Sequence, residues 1–241
     1  MLNYQEPINK NLFEWPYPVD YDKENEVVTD VLILGGGIAG CHAAINAVRK
    51  GAKVAVVDKA SVYRSGSGGA GVDHWHAACT NPCSKITPEE MVEVIQGDDK
   101  GITMEYGTGA SFYILCKESY DTLLDVEKMG VKIRDVDDQF EGADFRDDET
   151  KLMFAYDYVN RYVIRVMGVG MKPTLFEECK NLGVDLYEHI MVTSLLTEDG
   201  KPGSKVVGAT GVNVRTGEFY IFRAKAIILS SGPATGLWVF N

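Results

Sequence analysis

The feature that most narrows the fold is the run V-L-I-L-G-G-G-I-A-G, Val31 to Gly40, followed by V-A-V-V-D ending at Asp58. Val31–Leu34 is a short apolar run suited to a strand buried on both faces of a parallel sheet. Gly35, Gly37 and Gly40 fit G-x-G-x-x-G at a turn into a helix expected over Cys41–Lys50, and Lys53–Val57 reads as a second strand. Strand, glycine turn, helix, strand and acid in that order predict the βαβ unit of a dinucleotide-binding fold. Gly35 allows the tight turn, Gly37 lets backbone approach a pyrophosphate, and Gly40 with Ala44 one helical turn later lets the helix pack closely on the sheet. Free amides and the positive dipole end at the helix start favour the pyrophosphate. Asp58, at the end of the second strand, is placed to accept hydrogen bonds from ribose hydroxyls and to disfavour a 2′-phosphate.

Composition removes several function classes. The 241 residues are 45% apolar, enough for a sizeable core. A net charge of −11 without any cluster of Lys and Arg disfavours a nucleic-acid backbone or an anionic membrane surface as partner. The N-terminus M-L-N-Y-Q-E-P-I-N-K lacks a signal-peptide pattern, and no apolar run approaches the roughly 20 residues of a spanning helix. The expectation is a cytoplasmic chain with no membrane span. Cys41, Cys79, Cys83, Cys116 and Cys179 form an odd set without paired C-x-x-C spacing, so neither a disulfide framework nor a metal or iron–sulfur site held by this chain alone is expected.

Further elements follow from local signals. R-S-G-S-G-G-A-G, Arg64–Gly71, is a second glycine-rich loop whose backbone is free to approach a ligand. Thr87 followed by Pro88 predicts a helix start, with the helix reaching about Gly97, and a second helix is expected from about Gly109 to Lys128. Arg134–Thr150 carries eight acids against one internal arginine, Arg146, and reads as a solvated, like-charged loop without EF-hand spacing. Phe154, Tyr158 and Tyr162 stand at i, i+4 spacing and read as a helical core face. Lys172–Pro173 precedes a helix to about Leu182, which Gly183 ends. From Val184 the period changes to short strands separated by E-D-G-K-P-G and R-T-G-E turns, a β-meander closing in A-K-A-I-I-L-S-S-G-P-A, Ala224–Ala234.

Taken together, V-L-I-L-G-G-G-I-A-G-C-H-A-A, V-A-V-V-D-K-A, Y-R-S-G-S-G-G-A-G and the closing G-A-T-G-V-N-V-R-T-G-E-F-Y-I-F-R-A-K-A-I-I-L-S-S-G resemble one family. It comprises the flavoprotein subunits of the succinate dehydrogenase/fumarate reductase superfamily, which includes L-aspartate oxidase and the α subunit of dissimilatory adenylylsulfate reductase. The resemblance covers about residues 30–235. It implies an α/β fold with a Rossmann-like FAD-binding domain, a parallel sheet plus a β-meander, and FAD that exchanges hydride with a small substrate. The implied cofactor residues are Gly35, Gly37, Ile38, Ala39, Gly40, Asp58, Lys59, Arg64, Ser65, Gly66, Gly69, Ala70, Gly71, Met191, Val192, Ser230, Ser231 and Gly232. Members with covalent flavin carry R-S-H where this chain has Arg64-Ser65-Gly66, so the resemblance implies non-covalent FAD. G-x-x-x-K-P at Gly168–Pro173 and F-Y-I-F-R-A-K-A-I-I-L at Phe219–Leu229 look closest to the adenylylsulfate reductase branch, although D-H-W-H stands where that branch carries an asparagine.

His74 and His76 alternate with Asp73 and Trp75, and a strand leaving the glycine loop would put both imidazoles on one face. They are the candidate catalytic residues, able to polarise a substrate or move a proton near neutral pH. His42 and His189 read as structural. The organisation expected is an N-terminal arm over 1–29 and an FAD-binding domain over 30–241, with a helical and acidic insert at about 88–171. The capping domain and the returning segment of the family are absent, so the chain reads as truncated, its apolar C-terminus an interface. An iron–sulfur subunit or the remaining flavoprotein half is the partner implied. Two other functions fit parts of the pattern: an NAD-dependent dehydrogenase, and a non-catalytic flavin-carrying subunit paired with an iron–sulfur protein.

Overall fold

The structure, a computed structural model, describes residues 23–96 and 108–233. In chain order its elements are β1 (Glu24–Leu34), α1 (Ile38–Arg49), β2 (Val54–Val57), β3 (His74–Trp75), α2 (Pro88–Gln96), α3 (Gly109–Lys128), β4 (Met153–Phe154) and β5 (Ile164–Arg165). A short 3-10 turn at Gly168–Gly170 leads to α4 (Met171–Asn181), β6 (Asp185–Tyr187), β7 (Ile190–Thr197), β8 (Val206–Asn213) and β9 (Phe219–Leu229). The elements fall into two compact units. One comprises the residues up to Gly66 with those from Cys179 onward, the other Ser67–Glu178.

The first unit is built on a six-stranded sheet in the order β6-β2-β1-β9-β8-β7. Strands β6, β2, β1 and β9 run parallel, and β8 and β7 add on antiparallel as the tail of the expected meander. β1 and β2 align Val31 with Val54 through Leu34 with Val57, joined by α1 as a βαβ crossover. Leu32, Ile33, Val54, Ala55, Val56 and Val57 are all buried, which is why both strands read as unbroken apolar runs. Phe222, Ala209 and Ile190 from the meander pack on Leu32, Leu34, Ala55 and Val57.

The expected arm ended at residue 29, but β1 begins at Glu24. E-N-E-V-V-T-D is too polar to announce a strand. A distant partner makes it one, since Glu24 to Thr29 pair in parallel with Phe219 to Ala224 of β9. The rest of the arm, residues 1–22, and the C-terminal stretch from Ala234 lie outside the described residues.

The second unit holds α2, α3 and a small antiparallel sheet ordered β3-β5-β4. Its bounds, Ser67–Glu178, are wider than the insert expected at about 88–171. α2 opens with a reciprocal cap: the Glu90 amide donates to Thr87 Oγ1 at 3.2 Å, and the Thr87 amide donates to Glu90 Oε2 at 2.8 Å. Gly97, its expected end, lies outside the described residues. α3 spans the expected residues and buries Cys116, Leu123 and Val126, whereas Leu115 is exposed.

Two expectations fail in this unit. The acidic segment is not a uniformly solvated loop, because it folds around Arg146, whose side chain is 1% exposed and ion-paired at 2.9 Å with a fully buried Asp135. Asp138 and Asp148 close on the same guanidinium, and Asp135 also accepts from the amides of Gln139 and Phe140. One arginine thereby organises carboxylates whose mutual repulsion made the segment look solvated. Nor is Phe154-Tyr158-Tyr162 a helical face. Phe154 is buried on β4 while Tyr158 is exposed, and Asp157 Oδ1 accepts from the amides of Val159 and Asn160 in an Asx turn that competes with a helix.

Candidate functional site

In the first unit the glycine turn is enclosed by backbone from several elements. Gly35 sits at φ +106°, and a Cβ there would lie 2.3 Å from the Ser230 carbonyl oxygen. Its amide donates to Val57 O at 2.8 Å, and the Ser230 amide donates to Leu34 O at 2.8 Å. The end of β9 with Ser230, Ser231 and Gly232 is thus brought against the turn. A Cβ on Gly40 would meet the Gly35 carbonyl oxygen at 1.9 Å, so α1 can start where it does only with glycine there. No side chain caps α1, leaving first-turn backbone at Gly37, Ile38 and Ala39 as an anion-accepting end.

The Arg64-Ser65-Gly66 loop crosses this turn. Gly66 has φ +83°, and a Cβ on it would stand 3.0 Å from Gly37 Cα. Ser65 Oγ donates to the Gly36 carbonyl at 2.9 Å, while Lys59 and Arg64 are exposed. Asp58 directly follows β2, and its carboxylate already has two partners, accepting from the Gly36 amide at Oδ2 and the Ala60 amide at Oδ1, both at 2.7 Å. It therefore shapes the turn, and only its remaining lone pairs are left for a ribose. The Ile190 amide donates to Asp58 O at 2.9 Å, which starts β7 at this junction and puts Met191 and Val192 on the strand leaving it. His189 bonds through its backbone to Ala60 and Val214, as a structural residue would.

The cradle fits an extended dinucleotide. At Gly35 and Gly66 a side chain would crowd the backbone that closes the turn, and without one the chain can lie directly along a pyrophosphate.

In the second unit, Gly71 at φ +138° lies close enough to Val169 that a Cβ would stand 3.3 Å from its Cα, and a Cβ on Gly168 would meet Val72 O at 2.2 Å. The Gly69–Gly71 loop and the Gly168–Gly170 turn are thus packed backbone to backbone. The ribbon that follows carries the histidines. His74 and His76 do share a face, with ring centroids 4.8 Å apart and nearly perpendicular. Trp75, between them, donates from Nε1 to Ser119 Oγ of α3 at 2.8 Å, and Ser119 Oγ in turn donates to His76 O at 2.7 Å. Between ribbon and α3 lies an open groove of about 530 Å³, lined by His74, His76, Ile114, Leu115 and Glu118 among others.

Two further residues join this place. Asp73 Oδ1 contacts His74 Nδ1, and the hydroxyl of Tyr156 lies 3.4 Å from the same nitrogen. Tyr156 also stacks on His76 at 6.2 Å and 13°. Asp73 was visible in D-H-W-H, whereas Tyr156 arrives from a distant segment and carries no local signal. Desolvation of the His76 ring, helped by its neighbour His74 and opposed by Asp73, holds its pKa below the ordinary histidine value.

Cys79 and Cys116 meet in an apolar cluster with Met91 and Ile95, and burial pushes the Cys79 thiol up to about 12. Among the described residues no three His, Cys, Asp or Glu side chains gather as a metal site.

A parallel sheet with a glycine turn closed by a second glycine loop and by a later strand end defines a dinucleotide-binding flavoprotein domain. The chain matches the FAD binding domain family over residues 30–239 and belongs to it. It is an FAD-binding domain of the succinate dehydrogenase/fumarate reductase flavoprotein type. It is 29% identical over 222 residues to the alpha subunit of adenylylsulfate reductase from Megalodesulfovibrio gigas, covering 87% of this chain and 32% of the relative. It is 31% identical over 215 residues to one subunit of the fumarate reductase (CoM/CoB) of Methanothermobacter marburgensis, covering 85% and 35%. The solved adenylylsulfate reductase of Archaeoglobus fulgidus superposes with a TM-score of 0.70 at 29% identity, over 89% of this chain and 32% of that one. The chain thus spans about a third of the length of these relatives, two of which are named as subunits. Among the described residues no helix is long and apolar enough to cross a membrane.

Proposed function

We propose that this chain is the FAD-binding portion of a cytoplasmic, flavin-dependent oxidoreductase of the fumarate reductase/succinate dehydrogenase type. When bound, FAD supplies hydride and electron transfer to or from a small substrate. The observation that carries the reading is the backbone cradle at Gly35, Gly37 and Gly66, closed by Ser230. In this reading the first-turn amides at Ile38 and Ala39 hold the pyrophosphate, and Asp58 shapes the turn and takes the ribose with its free lone pairs. Lys59, Arg64, Ser65, Gly69, Ala70, Gly71, Met191, Val192, Ser231 and Gly232 complete the cofactor residues. Gly66 offers no atom for covalent attachment, so the flavin is held by contacts alone. His76 and His74 are the groups that move a proton.

A second reading is favoured by the naming of two relatives as subunits: a flavin-carrying electron-transfer chain paired with an iron–sulfur subunit or with the remaining flavoprotein half. The test is titration of the purified chain with FAD, followed by visible absorbance and flavin fluorescence, with NADH as competitor. Saturable FAD binding, with all flavin released on denaturation, is expected of both readings. Reduction of bound flavin by succinate, or reoxidation of reduced flavin by fumarate, in the chain alone selects the first reading, and electron transfer only after a partner is added selects the second. Preference for NADH over FAD overturns both in favour of a nicotinamide-dependent dehydrogenase.

A further inference from the structure

One cross-strand row of the small sheet carries two arginines in opposite circumstances. Arg146 bridges to Met153, Met153 pairs with Arg165, and Arg165 pairs with His74, so the four residues share one face of the sheet. At one end Arg146 is enclosed, its side chain 1% exposed, and it meets the carboxylates of Asp135, Asp138 and Asp148. Arg165 is exposed, and among the described residues its guanidinium has neither a carboxylate nor any other hydrogen-bond partner. The fold that surrounds one arginine with acids leaves the N–H donors of the other turned out for something else.

His76 lies two residues past His74, on the same face and diagonal to Arg165. In an antiparallel pair opposite side chains start about 5 Å apart and diagonal ones about 7–8 Å apart, within reach of an arginine. The His76 ring meets His74 and Tyr156 through ring contacts, and neither of its nitrogens has a hydrogen-bond partner among the described residues. Its neighbours are already engaged, since Asp73 and the Tyr156 hydroxyl both stand on His74 Nδ1. Arg165 and His76 thus remain without partners, a donor fork and an imidazole set about one small molecule apart.

We propose that this face seats a small carboxylic acid, its carboxylate held by the guanidinium fork of Arg165 and its carbon skeleton laid towards His76. This rests on the reading of His76 as a group that acts on substrate, and adds to it the substrate's binding group and the residue that selects it. The planar fork of an arginine matches a carboxylate with two parallel hydrogen bonds. Negative charge close by limits the choice of anion. Glu118 lines the groove beside His74 and His76, and the side chain of Asp73 is 82% exposed. Both oppose a head that gathers two charges at one point, as sulfate or phosphate does, more than they oppose a single carboxylate.

The experiment is an NMR titration of the full chain, labelled with 15N in arginine and histidine, with crotonate, crotonamide and inorganic phosphate as probes. Loss of single signals in R165K and H76Q assigns the two side chains. Crotonate should shift the Arg165 Nε and His76 ring signals saturably, while crotonamide, the same skeleton without the charge, should shift neither at equal concentration. In R165Q the crotonate affinity, read from His76, should fall about tenfold or more, and R165K, which keeps the charge but not the fork, should recover part of it. K201Q, which removes an exposed charge from the turn after β7, should leave the affinity unchanged. The proposal is overturned if crotonate gives no saturable shift, if crotonamide binds as well, if R165Q binds crotonate as tightly as the unaltered chain, or if phosphate binds more tightly than crotonate. FAD uptake is read by absorbance in the same samples. Acid binding without FAD uptake keeps the site and removes the flavin reading, and FAD uptake without acid binding does the converse.

Discussion

The Gly36 amide donates to Oδ2 of Asp58 across 2.7 Å, so the glycine turn after β1 and the acid after β2 are one hydrogen-bonded piece. In dinucleotide-binding domains the acid at this place is read as a ribose ligand, whereas here it first holds the turn in shape. D58A leaves two backbone amides without their acceptor. It should lower unfolding stability by about 1–3 kcal/mol, read from urea midpoints. FAD affinity should fall about tenfold or more. D58N keeps one acceptor oxygen and should recover part of both losses. Full retention of stability in D58A would remove the shaping role.

Gly66 tests how the second glycine loop meets the first. With φ +83° and a Cβ placed 3.0 Å from Gly37 Cα, G66A should cost about 1–3 kcal/mol and weaken FAD binding more than it weakens the fold. G66H restores the residue type of the covalent-flavin pattern in a place that does not admit it. Acid-precipitated G66H should be colourless, and a yellow pellet would show that the loop can shift to accommodate the ring.

The buried pair Arg146–Asp135 should dominate the stability of the second unit. R146M leaves Asp135 charged and enclosed, and is expected to cost about 3–5 kcal/mol. Removing both charges in R146M/D135N should cost less than R146M alone. Equal losses in the single and double variants, by denaturant titration, would contradict a buried ion pair.

Two groups set opposite ends of the acid response. Hydrogen bonds from Thr150, its backbone amide first, hold the Asp147 carboxyl below its ordinary 3.8. Its contribution is therefore present above the unfolded value and lost as pH falls through the folded one, below about pH 4. The His76 pKa also lies below its unfolded 6.5, so folding favours the neutral ring. Its contribution is complete above pH 6.5 and declines as pH falls from there towards the folded value. Urea midpoints between pH 7 and 3 should show a first decline that H76Q removes and a later one that D147N reduces. An H76Q variant with an unchanged first decline would assign it to another group.

Legibility in the sequence followed the range of the interactions. The βαβ unit was readable because its determinants are local, an apolar run and glycines at fixed spacing, and so was the start of α2, where Thr87 caps with Glu90 three residues on. The extension of β1 back to Glu24 was not, since its partner Phe219 is supplied from the far end of the chain. Charge counting misjudged residues 134–150, because one arginine inside the fold outweighs the average sign of its neighbours. Spacing misjudged Phe154, Tyr158 and Tyr162, because an Asx turn at Asp157 interrupts the period that the aromatics imitate. At the histidine ribbon the alternation put both rings on one face, while Tyr156 became visible only with the backbone in place.

The pairing of Leu34 with Leu229, and the fit of Gly35 under Ser230, also order events in time. During synthesis the glycine turn is made well before the strand end that roofs it. Contacts so distant in sequence close late and slowly. The nucleotide cradle therefore gains its roof only once β9 has been made, and flavin uptake reports the docking of β9 on β1 rather than the formation of the turn.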